Sequence, residues 1–113
     1  MVSFDIDGTM TFGDPAGPVD VDLVRAVAAL GHVVGSASDR TRAEQTTLWT
    51  RHGVDVAFVG GKHHLADVRR RFPAERYVHI GDTVVDEHFA LDAGFEFFAV
   101  DRLPEPGAPG WII

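Results

Sequence analysis

Short apolar runs alternate with amphipathic stretches along the 113 residues of the chain. Apolar runs bounded by glycine, proline or polar residues are typical of buried strands, whereas apolar residues spaced three or four positions apart are typical of helices. The pattern predicts five strands, at 2–6, 32–37, 54–59, 77–80 and 95–100. It predicts four helices between them, at 20–30, 41–52, 62–72 and 84–93.

The regular alternation of strands and helices predicts the fold class. Strands that are each followed by a helix form a parallel sheet with the helices packed on its faces. We therefore expect an α/β protein with a three-layer, Rossmann-like parallel sheet of about five strands and helices on both faces. No repeat or linker divides the sequence, so residues 1–113 are expected to form one domain, with a surface tail at 101–113 that is rich in proline and glycine.

Composition and charge narrow the functional classes. The chain has 10 basic and 17 acidic residues, a net charge of −7, which disfavours tight binding to a nucleic-acid backbone without excluding a nucleotide substrate. It has no cysteine, so neither disulfides nor thiolate chemistry can contribute. No secretory leader is recognisable, and no apolar run approaches the ~20 residues that span a bilayer. We expect a cytoplasmic protein without a membrane partner.

Polar side chains follow four of the predicted strands, at the point where each strand ends. In open α/β sheets, ligands bind outside the carboxyl ends of the strands. Convergence at one sheet edge is therefore expected for Asp5, Asp7, Ser36, Ser38, Asp39, Lys62, Asp82 and Asp86. A cluster of carboxylates repels itself unless a cation is present, and Mg²⁺ prefers such oxygen ligands and commonly binds substrate phosphate as well.

The same residue types fit phosphate chemistry. A lysine and a serine hydroxyl supply a charge and a donor for phosphate oxygens. A carboxylate can attack phosphorus to form an aspartyl-phosphate, and a second carboxyl group can donate and accept the protons. This combination of residues predicts a site that binds Mg²⁺ and a small phosphorylated substrate.

Four segments of the chain resemble the motifs of one protein family. Phe4-Asp5-Ile6-Asp7-Gly8-Thr9 resembles the first motif of the haloacid dehalogenase-like (HAD) phosphohydrolases, Asp-x-Asp-Gly-Thr after a hydrophobic strand. Ser38, in Ser38-Asp39-Arg40, resembles the hydroxyl residue that ends the second strand, and Lys62 resembles the lysine of the third motif. Gly81-Asp82-Thr83-Val84-Val85-Asp86 resembles the fourth motif. The resemblance extends from about Val2 to Val100.

The resemblance implies a role for each residue. Asp5 is the nucleophile and a magnesium ligand, and Asp7 is the general acid and base, with its backbone carbonyl on the metal. Ser38 and Lys62 hold the phosphate. Asp82 ligates magnesium, and Asp86 supports the metal directly or through water. An aspartate at position 7 favours a phosphatase over a dehalogenase.

Members of this family often carry a cap domain, and the sequence has no room for one. The segment from Gly8 to Gly31 holds one loop and one helix, and only Gly60-Gly61 separates Val59 from Lys62. The resemblance is therefore to the capless type, whose open site is covered by a second copy or serves a large substrate. The loop from Met10 to Val19 is the expected place for such a contact, and Phe12 is expected to touch substrate.

Several alternatives remain open at this stage. Ser36 is a second candidate for the phosphate-binding hydroxyl. A nucleotide or a polynucleotide end is an alternative to a small metabolite as substrate, and binding of a phosphate ester without hydrolysis is an alternative to catalysis. A zinc site built from His63, His64, His79 and His88 is disfavoured, because adjacent histidines on a helix point apart and no cysteine supports them.

Overall fold

The computed structural model describes residues 1–113. Five strands form one parallel sheet: β1 Val2–Phe4, β2 Val34–Ala37, β3 Phe58–Gly60, β4 Val78–Gly81 and β5 Glu96–Ala99. The four α-helices are α1 Val21–Ala29, α2 Arg42–Arg51, α3 Leu65–Arg71 and α4 Val84–Asp92, and two short 3-10 helices lie at Lys62–His64 and Val100–Arg102. The predicted α/β fold with a five-stranded parallel sheet is confirmed.

The order of the strands places the candidate site. The sheet runs β3-β2-β1-β4-β5, so the chain first winds to one side of β1 and then crosses to the other. Phe4 lies between Ser36 and Ile80 in the register, and the backbone N–H of Asp5 donates to the carbonyl of Ile80 at 2.9 Å. The strand order reverses between β1 and β4, the position at which open α/β sheets bind ligands. Asp5 is the first residue past β1 at this point.

Two separate groups of buried side chains hold the helices to the sheet. The first group includes Val24 and Val27 of α1 and Trp49 of α2, and the second includes Leu65 and Val68 of α3. Alternate residues of a strand face opposite sides of a sheet, so Val2 and Phe4 pack in the first group while Ser3 points toward the other face. Helices therefore cover both faces, which gives the three layers that the sequence predicts.

Local signals in the sequence set the helix starts. The side chains of Asp20, Thr41 and Thr83 cap α1, α2 and α4 by accepting a backbone N–H three residues on. Thr41 makes half of a capping box: its hydroxyl accepts from the backbone N–H of Glu44, but the Glu44 carboxylate accepts from that hydroxyl and not from the backbone N–H of Thr41. The complete capping box is at Thr83, where the Asp86 carboxylate accepts from the backbone N–H of Thr83.

Two elements differ most from their predicted bounds. The strand predicted at 54–59 begins only at Phe58, because Val54 donates its N–H to Trp49 at the end of α2 and packs in the first core group. Its apolar character reflects packing on the helix and not pairing in the sheet. The helix predicted at 62–72 is divided into the 3-10 helix at Lys62–His64 and α3.

The end of the chain corrects the prediction of a surface tail at 101–113. Pro109 and Gly110 are exposed, but Trp111 and Ile112 are buried in the first core group. The Trp111 ring packs edge-on against Phe98 with ring centroids 4.9 Å apart. Two large apolar side chains gain more from burial than the flanking proline and glycine residues lose by ordering, so the chain returns to the core. None of the helices is both long and apolar enough to cross a membrane.

Candidate active site

Three carboxylates meet where β1 and β4 end. One oxygen from each of Asp5, Asp82 and Asp86 can be chosen so that all three lie within 4.8 Å of one another. The Lys62 ammonium lies 3.6 Å from Asp5 Oδ1 and 3.1 Å from Asp86 Oδ1. The structure thus brings together four of the residues that the sequence predicted to converge.

Asp5 is nearly fully buried, at 2% exposure, because it directly follows the central strand. Burial, followed by the negative charge of Asp86, raises the pKa of the Asp5 carboxyl to about 8, although the Lys62 ammonium opposes the shift. The Thr9 hydroxyl lies 3.4 Å from Asp5 Oδ2. Asp5 therefore sits in surroundings that contain too little positive charge for all the carboxylates present.

Asp86 is fully buried at the first turn of α4, and both of its oxygens are already bonded. Oδ1 meets His79 Nε2 at 3.1 Å and the Lys62 ammonium, while Oδ2 accepts from the backbone N–H and the hydroxyl of Thr83. Burial by itself would raise the pKa of Asp86, but the hydrogen bond with His79 and the charge of Lys62 hold it well below the usual range. Asp86 is therefore an ionised anchor for its neighbours.

Lys62 lies just past β3, in the first position of its 3-10 helix, and its side chain is only 7% exposed. Burial lowers the pKa of a lysine, but the charges of Asp5 and Asp86 outweigh that effect and raise the pKa of Lys62. A third carboxylate, Asp39, approaches the ammonium to 3.6 Å from the solvent side. The lysine is thus a permanent positive charge at the floor of the site.

The loops after β1 and β4 touch each other closely at Gly8 and Asp82. Gly8 has a φ of +77°, and a Cβ atom there would lie 1.9 Å from Asp82 Oδ2. Only glycine fits both the backbone conformation and the space. The glycine of the first motif is what allows the exposed Asp82 carboxylate to reach Asp5.

Asp7 lies apart from this group, at the rim, with about a third of its side chain exposed. Arg40 grips it with its guanidinium fork: Nη2 lies 2.9 Å from Oδ1, and Nε lies 3.0 Å from Oδ2. The backbone N–H of Asp14 also donates to Oδ1 at 2.9 Å. Partial burial raises the pKa of Asp7, but the hydrogen bonds from Arg40 and Asp14 lower it overall.

The two candidate serines have different surroundings. The Ser36 hydroxyl is buried between α2 side chains, donating to Gln45 Oε1 at 2.7 Å and accepting from Trp49 Nε1 at 2.8 Å. The Ser38 hydroxyl accepts one bond, from the backbone N–H of Arg40, and keeps its proton for a ligand. Ser38 also follows β2 directly, whereas Ser36 lies within it. The geometry favours Ser38 over Ser36.

Backbone contacts hold the irregular loop at 10–19 in place beside the site. The N–H of Gly8 donates to the carbonyl of Pro15, and Met10 pairs with Val19 in an isolated bridge. The Phe12 ring stacks on His52 at 4.5 Å and meets Trp49 edge-on at 5.2 Å. Phe12 therefore packs against the end of α2, and its contact with substrate stays a prediction.

Three neighbours of the site were not predicted: Arg40 on Asp7, and His79 and Thr83 on Asp86. Asp39, which was expected at this sheet edge, contacts Lys62. The sequence contains a pattern that indicates only the Thr83 contact, because Thr-x-x-Asp immediately before an apolar helix resembles a capping box. The contacts of Arg40 and His79 cross 33 and 7 residues of sequence, so no local pattern reveals them.

Searches of known protein families, of curated proteins and of solved structures found no match to the chain. The assignment of a function therefore depends on the site itself.

Proposed function

We propose that this protein is a magnesium-dependent phosphomonoester hydrolase of the HAD-like type, acting on a small phosphorylated metabolite through an aspartyl-phosphate on Asp5. The observation that carries the proposal is the meeting of Asp5, Asp82 and Asp86 beside Lys62 at the strand-order reversal. A phosphoryl group needs an in-line nucleophile and positive charge around its oxygens, and this cluster supplies the first and part of the second.

The donor set fits a divalent cation. Its ligand atoms are all carboxylate oxygens, which suit Mg²⁺, and the raised pKa of Asp5 reports a local deficit of positive charge. Asp5 and Asp82 are the residues with oxygens to offer, since both oxygens of Asp86 are committed to His79, Lys62 and Thr83. When bound, the cation would keep Asp5 ionised and neutralise charge on the phosphate oxygens.

The side chains then have distinct tasks in the proposed reaction. Asp7 first takes up a proton from solvent when its bonds to Arg40 and Asp14 break. The Asp5 carboxylate attacks phosphorus, the bond from phosphorus to the ester oxygen breaks, and Asp7 donates that proton to the departing alcohol. Water next attacks the aspartyl-phosphate, Asp7 accepts its proton, and phosphate leaves with Asp5 restored. Lys62 and the Ser38 hydroxyl hold the phosphate oxygens throughout.

The test is phosphate release from an aryl phosphate in the presence of Mg²⁺. We expect the wild-type chain to release phosphate, chelation of the metal to stop it, and Asp5→Asn to lower kcat by at least about a thousandfold. Asp55→Asn is the matched control, because Asp55 is an exposed carboxylate without an ion pair. Unchanged turnover in Asp5→Asn, or no release from a panel of phosphate esters by the wild type, contradicts the proposal.

A further inference from the structure

The Arg40–Asp7 pair occupies the rim of the site, above the buried cluster. The guanidinium makes bonds of 2.9 to 3.1 Å to the two oxygens of Asp7 through Nε and Nη2. Its third nitrogen, Nη1, has only a distant partner, Glu44 Oε2 at 3.4 Å. About a quarter of the Arg40 side chain is exposed, so a small anion in solution can reach it.

The backbone of Arg40 is fixed even though its side chain is accessible. The Arg40 N–H donates to Ser38 Oγ at 3.1 Å, and its carbonyl accepts from the buried Gln45 side chain at 2.8 Å. The next residue, Thr41, is the cap of α2. The Arg40 side chain can therefore change its conformation while its backbone stays in place beside the Ser38 hydroxyl, the proposed phosphate donor.

The two cations of the site differ in what they can still bind. The Lys62 ammonium is buried and contacts Asp5, Asp39 and Asp86. Arg40 is half-buried and holds a single carboxylate with its fork, a geometry that a substrate carboxylate or phosphate reproduces equally well. Asp7 can thus be replaced on Arg40 by an anion of the same shape.

This exchange has a consequence for the substrate. In the proposed reaction Asp7 protonates the alcohol that leaves, so its partner Arg40 lies next to that alcohol. We propose that Arg40 is a specificity-determining residue that binds an anionic group, a carboxylate or a second phosphate, on the leaving alcohol and thereby releases the Asp7 carboxylate toward the ester oxygen. This inference rests on the proposed function. It narrows the substrate class to phosphate esters whose alcohol carries a carboxylate or a second phosphate.

The test compares esters that differ in the charge of the alcohol. Phosphoglycolate carries a carboxylate and ethylene glycol bisphosphate a second phosphate, while 2-hydroxyethyl phosphate is a neutral counterpart of similar size. We expect kcat/KM for each charged ester to exceed that for the neutral ester by about tenfold or more, the effect of one good charged hydrogen-bonding partner. The two charged esters distinguish a carboxylate from a phosphate preference.

Variants of Arg40 separate recognition from a merely structural role. Arg40→Gln is expected to remove the preference, lowering kcat/KM for the charged esters about tenfold while changing the neutral ester less than about threefold. Arg40→Lys keeps the positive charge but loses the two parallel N–H donors of the guanidinium, so it should retain part of the preference for charged esters. Arg42→Gln is the matched control: it removes the same charge two residues away, from an exposed side chain with no ion pair, and should change nothing.

The outcomes separate this inference from the proposed function. Equal rates for charged and neutral esters in the wild type, or an equal loss for all esters in Arg40→Gln, overturn the inference alone. If the wild type hydrolyses none of the esters, calorimetry on Asp5→Asn measures their binding without turnover. Tighter binding of the charged esters that disappears in Asp5→Asn/Arg40→Gln then supports the inference although the proposed function has failed, and equal binding overturns both.

Discussion

The two carboxylates that frame the site, Asp86 inside and Asp7 at the rim, are held in contrasting ways. Asp86 is fully buried, and its partners come from β4, the 3-10 helix after β3 and its own helix. Asp7 is a third exposed and is held by one flexible arginine and one loop N–H. The first arrangement forms only when the sheet and α4 have assembled, whereas the second can change without unfolding anything. We infer that the inner carboxylate fixes the site and that the outer one would move in the proposed reaction.

The largest expected difference between the two is in stability. Asp86→Ala leaves the buried Lys62 ammonium and His79 short of a partner, and removal of one member of a buried charged group costs about 3–5 kcal/mol. Asp7→Ala breaks a partly exposed pair and should cost less than about 1 kcal/mol. Urea unfolding of both variants gives the two free energies. Similar losses would mean that Asp86 is not the anchor described here.

The close contact between Gly8 and Asp82 joins the loop after β1 to the loop after β4. Gly8→Ala adds a Cβ 1.9 Å from Asp82 Oδ2 at a φ of +77°, whereas Gly31→Ala adds one at a φ of +94° with no atom within 4 Å. The backbone strain is shared, about 1–2 kcal/mol, so only Gly8→Ala should lose more than that and also weaken Mg²⁺ binding. Urea unfolding and calorimetric Mg²⁺ titration measure these effects; equal behaviour of the two variants would contradict the close contact.

Ser36 in β2 and Ser38 just after it can be compared in the same way. Ser36→Ala removes a hydroxyl that bonds two buried partners, Gln45 and Trp49, and should cost about 1–3 kcal/mol of stability. Ser38→Ala loses only the bond from the Arg40 N–H, so it should cost less stability than Ser36→Ala. It should lower kcat/KM for phosphate esters about tenfold or more, because a phosphate donor is lost. Unfolding and steady-state kinetics on both variants decide this. A larger kinetic loss in the folded Ser36→Ala protein would reverse the assignment.

The pH dependence of stability separates Asp5 from Asp86. The pKa of Asp5 rises to about 8 on folding, so the folded state binds an extra proton between pH ~4 and ~8. Its contribution is therefore fully present at low pH and is lost as pH rises, with a slope of at most about 1.4 kcal/mol per unit. Asp86, whose pKa falls on folding, stabilises at neutral pH and loses that effect only in acid.

Asp5→Asn tests this sign. We expect the variant to gain stability relative to the wild type as pH increases from 5 to 8, because the asparagine carries no charge to be penalised. Mg²⁺ should reduce the difference by stabilising the wild type, since a ligand of the folded state raises its stability by about 2.7 kcal/mol at a hundred times its Kd. Urea midpoints at several pH values, with K⁺ at equal ionic strength as the control, measure it. A difference that does not change with pH would contradict the raised pKa of Asp5.

Predictions from the sequence succeeded where a local pattern and one topological rule were enough. Apolar runs, caps and glycines located every strand and helix, and the rule that polar strand ends converge placed Asp5, Lys62, Asp82 and Asp86 together. They failed where an apolar residue had a different burial partner. The strand predicted at 54–59 includes residues that pack on α2, and Trp111 belongs to the core and not to a surface tail.

The sequence by itself determined the parallel α/β architecture and the residue types at its carboxyl edge, because strand–helix alternation and strand ends are local properties. Only the tertiary structure decided which serine is already occupied, that Arg40 holds Asp7, and that His79 lies under Asp86. Arg40 and Asp7 come together only when β1 pairs with β2, and the other two contacts form only when α2 and α4 pack back on the strands that precede them. Their geometry depends on side-chain directions that no sequence spacing specifies.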